Sequence, residues 1–161
     1  MSASVYIESS IISYLTSRPS REVVKAGRQA ITSDGWLNSK SQYEFYISAL
    51  VEEEISGGDS TAAAKRLEAV ANIPSILITS EAQLLADALV ASKAVPDNSI
   101  RDALHIAIAA TQGIDYLLTW SFKQINNAET KTLIAHVVEA DGWVCPVLCS
   151  PEELGGNNDE E

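Results

Sequence analysis

Short apolar stretches alternate with longer amphipathic ones along nearly the whole chain. The short stretches predict five strands, at residues 5–7, 43–47, 76–78, 116–118 and 144–148. The longer ones repeat apolar residues every three or four positions and predict helices at residues 11–15, 20–36, 48–55, 61–71, 80–90, 99–111 and 130–138. This alternation predicts an α/β fold with a mainly parallel central sheet of about five strands flanked by helices. No repeat or linker interrupts residues 1–150, which we expect to form a single domain.

Local signals set the ends of the predicted elements. Ser20 is a good N-cap for the second helix, and Asp34 and Gly35 weaken its end near Trp36. Residues 5–7 are apolar throughout, which predicts a strand buried on both faces of the sheet.

Three carboxylates lie in apolar surroundings on separate elements. Glu8 directly follows the first strand, Glu54 lies in the helix after the second strand, and Asp102 opens the alanine-rich helix. Carboxylates are rarely buried unless they are paired or bind a metal. In parallel sheets ligands bind beyond the carboxyl ends of the strands, which is where Glu8 and residues 119–121 fall. We therefore expect the three acids to form one site.

Helix geometry singles out Glu54 among three consecutive glutamates. At about 100° per residue, Ile47, Val51 and Ile55 form one apolar stripe, with Leu50 beside it. Glu54 falls between Leu50 and Val51 on this side, whereas the two preceding glutamates point to solvent. The alternative is that Glu54 is only a boundary residue of an amphipathic helix.

The helix that carries Asp102 also carries a histidine. Asp102 lies on the side of Ile106 and Ala109, near the N-terminus, where the helix dipole favours a negative charge. Taken alone, it reads more readily as a first-turn aspartate than as a ligand. His105 lies three residues further on roughly the same face. It is either a core histidine or a residue that orients the acids, and the lack of a metal-spaced histidine partner favours the structural role.

Three converging carboxylates predict a particular chemistry. Crowded carboxylates repel, and one takes up a proton unless a cation balances them. Their hard oxygen atoms select Mg²⁺ or Mn²⁺ over zinc. A bound metal lowers the pKa of a water and stabilises the charge on a phosphate. The acids therefore predict a metal-dependent enzyme that acts on phosphate esters.

The chain is acidic, with a net charge of -11. Residues 151–161 form an acidic tail that we predict to be disordered. This composition argues against strong nonspecific binding to nucleic acid and suits a basic partner or bound metal ions. Arg21, Lys25 and Arg28, with Arg18 just before them, form one basic stripe at helical spacing. The stripe is either a contact for RNA or an acidic partner segment, or a solvated helix face.

Nothing in the sequence indicates a membrane or a secretory route. No segment has the roughly 20 apolar residues of a membrane span, and the N-terminus lacks a signal pattern. We expect a cytoplasmic protein with no membrane partner. Cys145 and Cys149 are then expected to stay reduced, and their spacing without nearby histidines favours a structural role over a zinc site.

Taken together, these residues resemble a PIN domain, in particular the toxins of bacterial VapC-type toxin–antitoxin pairs. The resemblance covers about residues 5–150, and its pieces match in order and spacing at residues 5–10, 47–55, 102–107 and 114–122. It implies a parallel sheet flanked by helices and a Mg²⁺ or Mn²⁺ site that hydrolyses RNA phosphodiester bonds. It also implies a homodimer and a cognate antitoxin that inserts a segment into the active site.

Carried over to this chain, the resemblance assigns the catalytic site to Glu8, Glu54, Asp102 and Ser121, with the first three as metal ligands. Glu8 stands where the family usually has aspartate, and Ser121 where it commonly has aspartate or asparagine. This site therefore has three acids where some relatives have four. Ser9 is next to the site, and we expect it to donate a hydrogen bond there.

Thr119 is a second expected hydrogen-bond donor, again from its adjacency to the site. Two other functions stay open. The altered acids allow a catalytically weakened PIN-fold module that acts through protein partners. A metal-dependent hydrolase that acts on DNA flaps or small phosphate esters is the third possibility.

Overall fold

The computed structural model describes residues 2–121 and 127–154. Its centre is a five-stranded sheet of β1 (Ser4–Ile7), β2 (Glu44–Ser48), β3 (Ser75–Ile76), β4 (Tyr116–Leu118) and β5 (Val147–Cys149). The helices of the described residues are α1 (Ser9–Thr16), α2 (Val23–Gln42), α3 (Ala49–Ile55), α4 (Ser60–Ala69), α5 (Ser80–Ala91), α6 (Ile100–Thr111), α7 (Ala128–Ala140) and α8 (Pro151–Leu154). A 3₁₀ turn, Asp97–Ser99, precedes α6.

The strands lie in the order β3-β2-β1-β4-β5, and every neighbouring pair runs parallel. Tyr6 of the central strand β1 pairs with Tyr46 of β2 and with Leu117 of β4. From the central strand β1, the chain adds β2 and then β3 on one side of the sheet. It then crosses over β1 and adds β4 and β5 on the other side. The carboxyl ends of β1 and β4 therefore border a topological switch point, where α/β sheets bind ligands. The expected α/β fold with a parallel sheet is confirmed.

Helices cover both faces of the sheet, which explains the apolar character of β1. Val5, Tyr6 and Ile7 are fully buried. Helix α6 is buried along residues 103–110 apart from Leu104, and it packs extensively against α5. Because α6 leads into the parallel strand β4, its N-terminus lies at the carboxyl edge of the sheet. The buried body of α6 thus holds its first turn, with Asp102, at that edge.

Helix α2 is longer than the sequence predicts. It begins at Val23 rather than near Ser20, and it runs on to Gln42 instead of ending near Trp36. The Trp36 ring packs beside Phe45 of β2, with the ring centroids 5.1 Å apart. This burial outweighs the local weakness of the Asp-Gly pair before it. Although α2 has 20 residues, no helix in the described part of the chain is long and apolar enough to cross a membrane.

The start of the predicted acidic tail is ordered. Pro151–Leu154 form α8, which packs against α2. The Tyr43 hydroxyl donates a hydrogen bond to the Leu154 carbonyl at 3.3 Å, and the Ser150 N–H donates to Glu153 Oε1 at 3.0 Å. The predicted disorder therefore does not extend to residues 151–154, and the rest of the tail lies outside the described residues.

Replacing Trp36 with Ala should lower the free energy of unfolding by about 3–5 kcal/mol, because it removes a buried aromatic side chain and leaves a cavity. Leu37 is the matched control, since it is the next residue of α2 and is 75% exposed. Leu37→Ala should change stability by about 0.5 kcal/mol or less. Urea denaturation measures both variants, and equal losses would contradict the extension of α2 past Gly35.

Candidate metal centre at the carboxyl edge of the sheet

Glu8 is held across the crevice between β1 and β4. It follows β1 directly, and its N–H donates to the Leu118 carbonyl at 3.1 Å, so strand pairing continues into this residue. The side chain is 7% exposed. Its Oε1 accepts a hydrogen bond from Thr119 Oγ1 at 2.7 Å and another from the Ser10 hydroxyl. The expected hydrogen bond from Thr119 is confirmed, and its partner is Glu8.

Glu54 faces the same crevice from α3. It is partly buried, whereas Glu52 and Glu53 before it are exposed, as the helix geometry predicts. Its Oε1 accepts a hydrogen bond from Ser9 Oγ at 2.5 Å and lies 2.7 Å from His105 Nε2. The expected bond from Ser9 is therefore confirmed, with Glu54 as its acceptor.

A buried chain of hydrogen bonds stands behind His105. His105 Nδ1 lies 2.6 Å from the Tyr6 hydroxyl, which lies 2.8 Å from Ser48 Oγ. Ser48 in turn accepts a bond from the Val51 N–H and so caps α3. Beside an ionised Glu54, the Nε2–H group of His105 donates to the carboxylate. His105 is thus buried in the core and also orients Glu54.

The pKa of Glu54 is lowered despite its burial. Burial raises the pKa, but the hydrogen bond and charge of His105 oppose it, together with the Ser9 hydroxyl and the Arg101 guanidinium. Arg101 Nη1 lies 3.6 Å from Glu54 Oε2 and 3.4 Å from Glu53 Oε2. Glu54 therefore stays ionised at neutral pH.

Asp102 experiences the opposite effect. Burial, followed by the negative charges of Glu8 and Glu54, raises its pKa from 3.8 to about 6, and the charge of His105 opposes this only in part. Among the described residues, none donates a hydrogen bond to its carboxylate. A divalent cation nearby would favour the ionised form of Asp102 and oppose this rise in its pKa.

Three side chains bring possible ligand atoms close enough together to hold one cation. Glu8, Glu54 and His105 each offer a ligand atom, and these atoms lie within 4.8 Å of one another. This group contains two of the three predicted metal ligands, and Asp102 is not one of its members. Oε2 of Glu8 accepts no hydrogen bond from the described residues, so it remains available as a ligand. Carboxylate oxygens of this kind fit Mg²⁺ or Mn²⁺.

Ser121 lies at the rim of this site. Its N–H donates to Thr119 Oγ1 at 2.9 Å, and the Thr119 hydroxyl donates onward to Glu8. The neighbouring Trp120 N–H donates to Ser10 Oγ at 2.9 Å. The loop after β4 is thus fastened to the residues that hold Glu8. Residue 122, the last of the matching pieces, lies outside the described residues.

Sequence reasoning missed four residues of the site. Tyr6 looked like an ordinary strand residue, Ser48 like the start of a helix, and Ser10 like a helix cap. Arg101 carried one signal, since it is a single cation directly before Asp102 in a helix that is otherwise apolar. Tyr6 and Ser48 carry none, because the hydrogen bonds that join them to each other and to His105 span 42 and 99 residues.

Comparisons with protein-family models and with curated proteins find no match. Among solved structures, the chain is similar to one in the crystal structure of VapBC2 from Rickettsia felis bound to a DNA fragment from their promoter. The TM-score is 0.58, and the match covers 91% of this chain and 98% of that one. The match shows that the two chains share a fold, and the five-stranded parallel sheet flanked by helices is consistent with the expected PIN-like fold. Because the two sequences are 12% identical, this likeness concerns the PIN fold alone.

Replacing Tyr6 with Phe should lower the free energy of unfolding by about 1–3 kcal/mol, because it leaves buried polar atoms of His105 and Ser48 without their partner. Tyr46 is the matched control, since it pairs with Tyr6 on the neighbouring strand and its hydroxyl is exposed. Tyr46→Phe should change stability by about 0.5 kcal/mol or less. Comparable losses of unfolding free energy in urea denaturation would show that the buried hydrogen bonds of Tyr6 do not stabilise the fold.

Replacing Asp102 with Asn should stabilise the metal-free protein at neutral pH. The pKa is raised in the folded state, so ionisation costs stability as the pH rises from 3.8 to about 6. The shift corresponds to at most about 3 kcal/mol, and since Asp102 is partly exposed, screening by water reduces the expected gain to about 1 kcal/mol. Thermal unfolding should show this gain at pH 7 and none near pH 3.

Asp87→Asn, in an exposed position of α5, is the control and should show no such pH-dependent gain. Saturating Mn²⁺ should raise the unfolding temperature of the unaltered protein more than that of Asp102→Asn. An Asp102→Asn variant that is less stable at pH 7 would contradict the repulsion among these acids.

Proposed function

We propose that this protein is a VapC-like, metal-dependent endoribonuclease that hydrolyses RNA phosphodiester bonds. One observation carries the proposal. At the switch point of a PIN fold, Glu8 and Glu54 lie close together, and burial and the charges of these two acids raise the pKa of Asp102. A bound cation would offset the repulsion that Glu8 and Glu54 exert on an ionised Asp102. Strongly shifted pKa values of this kind cluster at functional sites.

We propose Glu8, Glu54 and Asp102 as the ligands of Mg²⁺ or Mn²⁺. His105 is left out because one ring nitrogen contacts Glu54 and the other contacts Tyr6. When bound, the metal would generate a water nucleophile at neutral pH and stabilise the charge on the phosphate. The chain itself holds the carboxylates in place and keeps Glu54 ionised.

The hydroxyl groups around Glu8 support an active site despite the change from aspartate. The longer side chain of glutamate has more rotational freedom, which would loosen a metal site. Here Thr119 and Ser10 both bind Oε1, so this freedom is restricted while Oε2 stays available. Ser121, next to Thr119, is proposed to hold a water where relatives carry an acid or amide.

The proposed partners are an RNA substrate, a cognate antitoxin and a second copy of the chain, in the cytoplasm. The support is the fold shared with a chain of the VapBC2 structure, whose name denotes a two-component complex. The acidic cluster would pair readily with an arginine from an antitoxin segment.

One observation favours a second candidate, a catalytically weakened module that acts through its partners. Arg101 of the chain itself lies 3.6 Å from Glu54 Oε2 and supplies positive charge where a metal would otherwise do so. Arg101 is exposed, however, so its ion pairs are worth about 1 kcal/mol or less. A divalent cation would displace it at low cost.

Cleavage of a mixed RNA pool in Mg²⁺ or Mn²⁺ tests the proposal. EDTA should abolish cleavage, and Glu54→Gln and Asp102→Asn should each lower the rate more than about 100-fold, since each removes a proposed metal ligand. Glu52→Gln is the matched control, because this exposed glutamate lies two residues before Glu54 on α3. The Glu52→Gln variant should cleave RNA at the normal rate.

Cleavage that persists in EDTA, or in Glu54→Gln, would refute the metal site. A folded protein that cleaves RNA under no condition would favour the module that acts through its partners. The third possibility is a metal-dependent hydrolase that acts on DNA flaps or small phosphate esters. Parallel assays with these substrates test it, because it predicts that they are cleaved in preference to RNA.

A further inference from the structure

A ridge of hydroxyl groups leads away from the candidate metal centre along α1. Ser9 binds Glu54, and Ser13, Thr16 and Ser17 follow it at the three- and four-residue spacing that keeps them on one side of a helix. Ser13 and Ser17 are exposed. The ridge extends about 12 Å, from the eight residues of α1 at about 1.5 Å each.

A cleft lies on each side of this ridge. The larger, of about 570 Å³, separates α1 from α4, and its charged lining is Arg18, Asp59, Lys65 and Arg66. The smaller, of about 280 Å³, separates α1 from α2 and is lined by Tyr14, Lys25 and Gln29. Ser13 and Ser17 line both clefts, so the two meet along the ridge.

The clefts are basic on a chain whose net charge is -11. Their lining has four cations and a single acid, Asp59. Within the described residues, neither Arg18 nor Lys65 has an ion-pair partner, and both are exposed. A polyanion would be repelled by most of this acidic protein and attracted here.

Several contacts hold this basic surface in place. Gln29 Nε2 donates to Ser17 Oγ at 2.7 Å and to the Arg18 carbonyl at 2.8 Å, which fastens the end of α1 to α2. Arg66 donates to the carbonyls of Ile55 at 2.8 Å and Gly57 at 2.6 Å, so its guanidinium is fixed at the end of α3. The Arg66 guanidinium and the backbone at Arg18 are therefore held in place by the fold itself.

We propose that the clefts on both sides of α1 bind the phosphate backbone of single-stranded RNA and lead it to the candidate metal centre. The inference rests on the proposed function and names the surface by which that site would hold its substrate. Both clefts are lined by Ser13, one helical turn along α1 from Ser9, which binds Glu54, so an RNA strand in the clefts would lie close to the candidate metal centre. This continuity favours RNA over an acidic protein segment.

The test compares Arg18→Gln/Lys65→Gln with the control Lys40→Gln/Lys93→Gln, which removes the same charge at residues that line neither cleft. Fluorescence anisotropy of a short labelled single-stranded RNA, in EDTA so that no cleavage occurs, gives the affinity across a salt series. Removing two phosphate contacts should reduce the slope of log K against log salt by about 1.4, at about 0.7 per contact. The loss should be equal for RNAs of different sequence.

The proposal is overturned if the control pair reduces the slope equally, or if the unaltered protein binds no RNA. It is also overturned if Arg18→Gln/Lys65→Gln retains RNA binding but loses binding of a polyglutamate peptide, since the clefts would then accept an acidic protein segment. Binding is measured without metal. A protein that binds RNA through the clefts and cleaves none would therefore refute the nuclease and leave this inference standing.

Discussion

The repulsion among three carboxylates at the crevice between β1 and β4 is the constraint on which the site depends. Glu54 is stabilised as an anion by His105, Ser9 and Arg101. Burial, followed by the negative charges of Glu8 and Glu54, raises the pKa of Asp102, so the three acids leave an imbalance of negative charge in the fold. A divalent cation relieves this imbalance, which is why we read the cluster as a metal site rather than as a structural network.

The fold holds these acids together through the sheet. Because β1 and β4 are parallel neighbours, Glu8 and Thr119 follow their strands at the same edge and meet there. Tyr6, inside β1, connects the sheet to Glu54 through His105. A change in the buried core near Tyr6 would therefore alter the geometry of the site as well as the stability of the fold.

Much of this arrangement can be predicted from the sequence. The alternation of strands and helices indicates the parallel sheet, and the 100° period of a helix separates Glu54 from its two exposed neighbours. The position of Glu8 after a buried strand places it at the ligand-binding edge. These predictions succeed because each depends on periodicity or on order along the chain.

Other features depend on contacts between distant residues. The hydrogen bond between Tyr6 and His105 joins positions 99 residues apart. Since tyrosine and histidine also occur in ordinary protein cores, neither residue type reveals this bond in the sequence. The length of α2 depends on the packing of Trp36 beside Phe45, which no local signal encodes. Likewise, Lys65 and Arg66 join Arg18 at one cleft only because α4 packs against α1.

Calorimetric titration of the metal-free protein with Mn²⁺ tests the central claim most directly. The account predicts one saturable binding site that is retained in Glu52→Gln and lost in Glu54→Gln. Binding of equal strength in both variants, or no binding to the unaltered folded protein, would contradict a metal centre at these carboxylates.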